Sequence, residues 1–432
     1  MALNATRKST LSNGNGNGDS AFLSGNSNGN GALAAKHHFA TRLIHVGSDA
    51  SEETGAVQPA ISLSTTFKQQ SVGVHKGYEY TRALNPNRLA FETLIASLEL
   101  PDAVVVKQVH STEERTRIEN LPSALAFASG SAVTQAVISS LVKAGGHVVS
   151  VNDVYGGTYR YLTKVAPNAG VQTTFIEMAV SEDVQDLSAH EKEVADRVEA
   201  AFRPETQLVW IETPTNPTLR LVNIALVSEI AHRHGAVVVV DNTFLSPYYQ
   251  RPLELGADIV THSVTKYLNG FSDVLMGVLV TSRRDLLDKL RFYQNAGGAV
   301  PSSFDCWLAQ RGLKTLALRM HEHGKNALAV ARWLERQSWV KEVIYPGLGG
   351  AQRRSVRHLA WKQLSSVTKE NISKHGYTQE SGFPYGGMVS FRLDTSQSKN
   401  SAAAAEVSSD FLSSLKVFTL AESLGGVESL AE

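Results

Sequence analysis

The run Thr261-His-Ser-Val-Thr-Lys266-Tyr sets a lysine among apolar and hydroxylic neighbours, just after an apolar stretch that begins at Asp258. Most lysines are solvated surface groups. One desolvated in such surroundings has a lowered pKa, which suits its ε-amine to condensation with a carbonyl. Upstream, the apolar run Ala236–Asp241 ends in Asp241-Asn-Thr243. A lone aspartate there reads as a turn cap, yet a carboxylate at an apolar edge is costly unless a cation or strong donor meets it. A third run, Ala124–Ser129, ends in Ser129-Gly130-Ser131 and passes straight into a helical pattern. A glycine at that junction lets backbone N–H groups and a helix N-terminus approach a phosphate, although a ligand-free tight turn fits the same residues.

Taken together, the three ends match the needs of pyridoxal phosphate: donors for its phosphate, a carboxylate for its pyridine nitrogen and an amine for its aldehyde. Tyr155, just past the run that begins at His147, is placed to stack on such a ring. Asn216, in the Thr213-Pro-Thr-Asn-Pro turn after Glu212, is placed to bond its exocyclic oxygen. Other constellations fail. His232 with His234, and His321 with His323, stand two apart on helical patterns and so on different faces, which argues against a shared metal. No strand–Gly-x-Ser-x-Gly–helix elbow is present.

The elements that must carry these residues are short apolar runs: Ala124–Ser129, His147–Val151, Val171–Ile176, Leu208–Glu212, Ala236–Asp241, Asp258–Val264 and Leu275–Thr281. Amphipathic stretches such as Val222–His234 separate them. Continuous apolar strands alternating with helices predict an α/β protein with a mostly parallel sheet covered on both faces. In such sheets ligands bind outside the carboxyl ends of the strands, where every residue named above falls. Pro301–Arg336 reads as mainly helical, and the sequence from Val343 onward mixes short strands and helices like a smaller α+β domain.

Composition narrows the field. Lys+Arg and Asp+Glu both total 41 in 432 residues, so no basic surplus points to nucleic acid or acidic membranes. Cys306 is the only cysteine, which excludes an internal disulfide framework and any multi-cysteine zinc site. No apolar run approaches bilayer length, and the N-terminus lacks a secretory apolar stretch, so a cytoplasmic protein is expected. Residues 1–36 are rich in Asn, Gly and Ser and are expected to be disordered. Their Gly14, Gly16 and Gly18 imitate a nucleotide-binding pattern, but no strand precedes them. Leu100–Asn120 and Gly350–Gly387 read as solvated surface insertions.

The motifs resemble those of the trans-sulfuration group, the pyridoxal-phosphate enzymes of cysteine and methionine metabolism. The resemblance runs from Thr41 to the C-terminus, interrupted by the two insertions. It is carried by Tyr78-Glu-Tyr-Thr-Arg82 with Asn85-Pro-Asn-Arg88, Phe127-Ala-Ser-Gly-Ser131, Asp153-Val-Tyr-Gly-Gly-Thr-Tyr-Arg160, Glu212-Thr-Pro-Thr-Asn-Pro217, Val240-Asp-Asn-Thr-Phe244 and Ser263-Val-Thr-Lys266-Tyr-Leu-Asn-Gly. It implies the aspartate-aminotransferase-like fold (fold type I). Lys266 would then bond the cofactor and move the substrate protons, with Tyr155 as its catalytic companion. Asp241 would face the ring nitrogen. Gly130, Ser131, Ser263 and Thr265 would hold the phosphate, and Asn216 and Thr243 would complete the cofactor set. Tyr80 and Arg82 would reach the phosphate of a neighbouring subunit, making a dimer the active unit and a homotetramer the usual assembly. Arg82, Tyr155, Arg160, Glu422 and Ser423 would contact substrate, and no metal is implied.

The same resemblance divides the chain into the tail 1–36, an arm at 37–84 that contacts a partner subunit, a large cofactor-binding domain at 85–316 and a smaller domain at 317–432. Phe418-Thr-Leu-Ala-Glu422-Ser-Leu-Gly-Gly-Val-Glu-Ser-Leu-Ala-Glu432 resembles the γ-lyases of the group, which split cystathionine into cysteine, 2-oxobutanoate and ammonia, more than its γ-synthases. A synthase or another γ-elimination or replacement enzyme is the alternative. Relatives in the group continue past the position of Glu432 with an arginine for the substrate carboxylate, so a shortened, inactive or regulatory subunit is the second alternative. Phe271 stands where the group more often has histidine.

Overall fold

The computed structural model describes residues 37–100, 121–180, 184, 187–350, 353–396 and 401–432. The expected disordered tail and residues 101–120 of the first insertion lie outside them. Seven strands form the central sheet: β1 (Ala124–Phe127), β2 (His147–Val151), β3 (Gln172–Ile176), β4 (Thr206–Glu212), β5 (Val237–Asp241), β6 (Ile259–Ser263) and β7 (Gly277–Val280), in the order β1-β7-β6-β5-β4-β2-β3. The pairs β3/β2, β2/β4, β4/β5 and β5/β6 are parallel, and β7 runs antiparallel to both β6 and β1. Six strands therefore point their carboxyl ends to one edge, while β7 starts there. Each of the seven apolar runs is a strand of this sheet, within a few residues at each end.

Both faces are covered, which is why β1, β5 and β7 read as near-continuous apolar runs rather than alternating, while β3 at the sheet edge carries Gln172, Thr173 and Thr174 and is only partly buried. Along β1, Ala124 and Ala126 join one core cluster and Leu125 and Phe127 the other. One face carries α2 (Pro86–Glu99), α8 (Ser303–Leu313) and α9 (Leu316–Leu334). The other packs α3 (Gly130–Leu141), α6 (Ile224–Arg233) and α7 (Arg284–Gly297), with α5 (Leu187–Ala201) beside α6 and against β3. Helix starts follow the capping chemistry. Asn85 accepts the N–H groups of Asn87 and Arg88 with Pro86 in the first turn, and the Ser129 hydroxyl accepts the N–H of Ala132.

Before α2, α1 (Phe39–His45) buries Phe39 and Leu43 in the core, and the segment between the two helices is extended and mostly exposed, with a short antiparallel pair at Gln69–Ser71 and Val74–His75. Its attachment is polar: Asn87 donates to the Ala60 carbonyl and accepts the Ser62 N–H, and Arg88 donates to the carbonyls of Thr81 and Arg82. After α9, β8 (Val340–Ile344) and β9 (Ser390–Leu393) pair antiparallel, accompanied by α10 (Arg354–Gln363), α11 (Ser366–Lys374) and α12 (Ser401–Ser414).

The second insertion is not a solvated excursion. Within Gly350–Gly387, Val356, Leu359, Ala360, Leu364, Ile372, Phe383 and Tyr385 are buried in the core that backs the sheet. Its polar composition misled because the polar side chains are structural. Gln363 donates to the Val222 carbonyl and accepts the Ile224 N–H, while Ser365 and Thr368 donate to the Tyr248 carbonyl.

Candidate active site

Strand register sets the geometry of the carboxyl edge. Asp241 stands opposite Glu212 of β4 on one side and opposite Thr261 of β6 on the other. Thr243 turns back on this row. Its hydroxyl donates to Asp241 Oδ1 at 2.6 Å and accepts the Ser263 N–H at 2.9 Å, and its own N–H donates to the same Oδ1 at 3.0 Å. Asp241 Oδ2 has no hydrogen bond among the described residues, so one oxygen of a desolvated carboxylate is left open. Burial pushes the Asp241 carboxyl above its usual range, opposed by the Thr243 bonds and by His262.

Ser263 leads through a turn to Lys266. The Lys266 amine donates to Ser423 Oγ at 2.9 Å. Burial lowers its pKa, while the carboxylates of Glu432 and Glu422 pull the other way. The turn is clamped from α9. Arg319 donates to the carbonyls of Tyr267 at 2.7 Å, Leu268 at 3.3 Å and Gly312 at 3.0 Å, and its guanidinium lies 5.6 Å from the Phe271 ring centre. Burial lowers this guanidinium to about 10. The chain returns to the same turn near its last described residues. A side chain at Gly425, whose φ is +78°, would stand 2.6 Å from the Tyr267 nitrogen and 2.9 Å from the Lys266 carbonyl carbon. Ser423 has φ +108°, a conformation costly for a residue with a Cβ.

The N-terminus of α3 closes on β6 and β7 through its glycine. A Cβ on Gly130 would lie 3.2 Å from Ser263 Cβ, and one on Gly277 would lie 2.4 Å from the Ser129 carbonyl oxygen. Gly130 and Ser263 thus lie together at the start of α3, with Ser131 next in its first turn and Thr265 two residues past Ser263. Thr265 is fastened to Met276, accepting its N–H at 3.0 Å.

Tyr155 and Asn216 are held by a residue that sequence reasoning did not single out. Glu212 Oε2 accepts the Tyr155 N–H at 2.9 Å and its Oε1 accepts the Asn216 N–H at 3.1 Å. Burial first, and then the charge of Asp241, push Glu212 well above the usual carboxyl range, against the pull of these two N–H groups. The Tyr155 ring is half exposed and lies over Gly157, where a Cβ would come within 2.4 Å of it. Asp153 accepts the hydroxyls of Thr215, at 2.6 Å, and Thr218. Both acids sit inside quoted motifs, so their presence was visible, but not which N–H groups and hydroxyls they meet. Arg319 carried no signal beyond its helical pattern.

Other named residues are exposed. Arg160 is exposed in the last turn of α4 (Gly156–Arg160), and Glu422 is exposed beside Ser423. Tyr80 and Arg82 lie on the exposed segment, with the guanidinium 5.6 Å from the Tyr80 ring centre and no hydrogen bond to the lysine edge among the described residues. His232 pairs with Asp258 and His234 with Glu199, so these histidines serve separate partners. No group of three metal-ligating side chains occurs among the described residues. None of their helices is long and apolar enough to cross a membrane.

The open oxygen of Asp241, the desolvated Lys266 amine and the glycine-lined helix start suit the nitrogen, aldehyde and phosphate of pyridoxal phosphate. A family model described as Cys/Met metabolism PLP-dependent enzyme matches residues 40–112 and 107–432. A cystathionine gamma-lyase of Dictyostelium discoideum is 46% identical over 393 residues, 91% of this chain and 85% of that protein. A cystathionine gamma-lyase of Homo sapiens is 44% identical over 404 residues, 93% of this chain and 84% of that protein. The crystal structure of metB from Corynebacterium glutamicum superposes with a TM-score of 0.75 at 36% identity, covering 92% of this chain and 87% of that one. Cystathionine gamma-lyase from Lactobacillus plantarum, complexed with L-serine, gives 0.72 at 37% identity, with 91% and 86% covered. Fold and edge together define a pyridoxal-phosphate-dependent enzyme of fold type I. The chain belongs to the Cys/Met metabolism PLP-dependent enzyme family.

Proposed function

We propose that the protein is a cystathionine γ-lyase, converting cystathionine and water to cysteine, 2-oxobutanoate and ammonia. The observation that carries the proposal is the Lys266 amine, desolvated and held at 2.9 Å by Ser423, on the same sheet edge as the open carboxylate of Asp241. Lyases of that name match more than nine-tenths of the chain. Pyridoxal phosphate, when bound, supplies the electron sink for carbanions formed beside the substrate nitrogen.

The residues divide the remaining work. Gly130 and Ser131 N–H groups with the Ser263 and Thr265 hydroxyls bind the phosphate, and Asp241, steadied by Thr243, keeps the ring nitrogen protonated. Tyr155 covers the ring face and helps deprotonate the incoming amine, while Asn216 orients the ring through its exocyclic oxygen. Lys266 Nζ, lowered by burial, accepts the Cα proton of the substrate and then serves the Cβ proton, which allows the γ-sulfur to leave. Arg160, Glu422 and Ser423 face the substrate, the acid of Glu422 toward its distal ammonium. Tyr80 and Arg82 serve the phosphate of a paired subunit, as the exposure of their segment suits. The arm 37–84, the large domain 85–316 and the smaller domain 317–432 then act as a dimer-built homotetramer in the cytoplasm.

Purified wild-type and Lys266→Ala chains, assayed with cystathionine, test the site. The variant is expected to lose both turnover and the visible cofactor band; retention of both would refute the assignment. A γ-synthase of the same Cys/Met metabolism family is the second reading. Faster condensation of an activated homoserine with cysteine than cleavage of cystathionine would establish that reading instead. Light scattering on the holoenzyme tests the tetramer.

A further inference from the structure

The turns that carry Tyr155 and Asn216 exchange carboxylates. Glu212 opens the second turn and reaches the first, where it accepts the Tyr155 N–H; its other oxygen accepts the Asn216 N–H within its own turn. Asp153 opens the first turn and reaches the second, accepting the hydroxyls of Thr215 and Thr218. Thr215 is fully buried and closes its turn by accepting the Arg220 N–H through its hydroxyl at 3.0 Å and pairing with the Arg220 carbonyl through its N–H.

We infer that Asp153 and Glu212 are reciprocal positioning residues that fix the spacing of Tyr155 and Asn216 across the cofactor ring. The inference rests on the reading that this edge holds pyridoxal phosphate. Two features favour positioning over simple stability. Glu212 is 5% exposed, makes no ion pair among the described residues and stands opposite the Asp241 carboxyl, so holding it there is costly. Its two oxygens are spent on the two backbone N–H groups of the residues that would touch the ring. Supporting side chains of this kind decide whether a site holds its working geometry.

The test uses holoenzyme of wild type, Glu212→Gln, Asp153→Asn and the double variant, with visible circular dichroism of the cofactor band beside steady-state kinetics. A glutamine has one acceptor oxygen and must release one of the two N–H groups. Glu212→Gln is expected to lower kcat about tenfold to a hundredfold with KM changed less than about threefold, and to weaken the visible dichroism at unchanged absorbance. The double variant is expected to be little worse than the poorer single, because either loss already frees the same pair of turns. Unchanged dichroism in both single variants, or fully additive losses, would overturn the inference. If Glu212→Gln does not fold, Thr218→Val removes one of the two Asp153 bonds and must show the same weakened band. A wild-type chain with no visible band would instead refute the cofactor reading itself.

Discussion

Lys266 and Ser423 are joined by a 2.9 Å hydrogen bond across 157 positions of sequence, with Ser423 held at φ +108° to make it. The strained serine places its hydroxyl on the lysine amine, the sole such contact among the described residues, which is why its backbone conformation is tolerated. Ser423→Ala keeps the strain and loses the bond, so the amine should titrate at still lower pH and kcat should fall by about tenfold. Ser423→Gly loses the bond but relieves the strain, and should be more stable than the alanine variant by about 1 kcal/mol. Lysine acylation rates against pH in the apoprotein and denaturant melts check both; equal stability of the two would contradict the strain.

Thr243 serves Asp241 and Ser263 with one hydroxyl. Thr243→Val orphans the Ser263 N–H and strips Asp241 of its shortest partner, so unfolding free energy should drop by about 1–3 kcal/mol and cofactor affinity should fall with it. Thr243→Ser retains the hydroxyl and should recover most of both. Fluorescence titration of apoprotein with cofactor gives the answer, and a serine variant as weak as the valine one would exclude the hydroxyl as the cause.

The acid pair Glu212 and Asp241 makes the apoprotein sensitive to pH. Both folded values are raised above the ordinary 4.5 and 3.8, so the folded state binds more protons than the unfolded chain between the ordinary and raised values. Their contribution is therefore complete below pH 3.8 and is lost as pH rises through the raised values. A protonated ring nitrogen against Asp241 removes part of that loss. The difference in melting temperature between holo and apo protein should widen as pH rises above the ordinary carboxyl range. Paired melts at constant ionic strength measure it, and a constant gap would mean that the two carboxylates do not sense the cofactor.

Behind the lysine strand, His262 Nε2 meets Glu99 Oε1 at 2.5 Å with neither side chain exposed. His262→Leu leaves the buried Glu99 carboxyl group without its hydrogen-bond partner and should destabilise the fold by about 1–3 kcal/mol. Replacing both residues by leucine should cost less than the single change, because no buried polar group is then left unpaired. Denaturant unfolding of the three proteins decides this, and a double variant worse than the single would show that the pair is needed as such.

Much of this architecture was legible in the sequence because burial on two faces writes itself as unbroken apolar runs. Val237–Asp241 and Ile259–Ser263 were located that way, and their polar last residues stood out against the apolar background. What sequence could not carry was partnership. Ser423 was read from the resemblance as a substrate contact; that its hydroxyl also accepts from the lysine amine depends on a chain return no local pattern encodes. Glu212 and Asp153 were only letters in motifs until register and turn geometry assigned them N–H groups and hydroxyls. In Gly350–Gly387 the polar composition was misread, because Gln363, Ser365 and Thr368 spend their polar groups on buried backbone.

The contact of Gly425 with the Lys266 turn also orders events in time. At 5–20 residues per second, a ribosome needs roughly 10–30 s to travel from Lys266 to Ser423. Every nascent chain thus passes through an interval in which all seven strands are already synthesised while the reactive amine has no tether. Stalled chains ending between residues 330 and 400 should acylate at that amine faster than the released protein does, and equal rates would show that the tether offers it no protection.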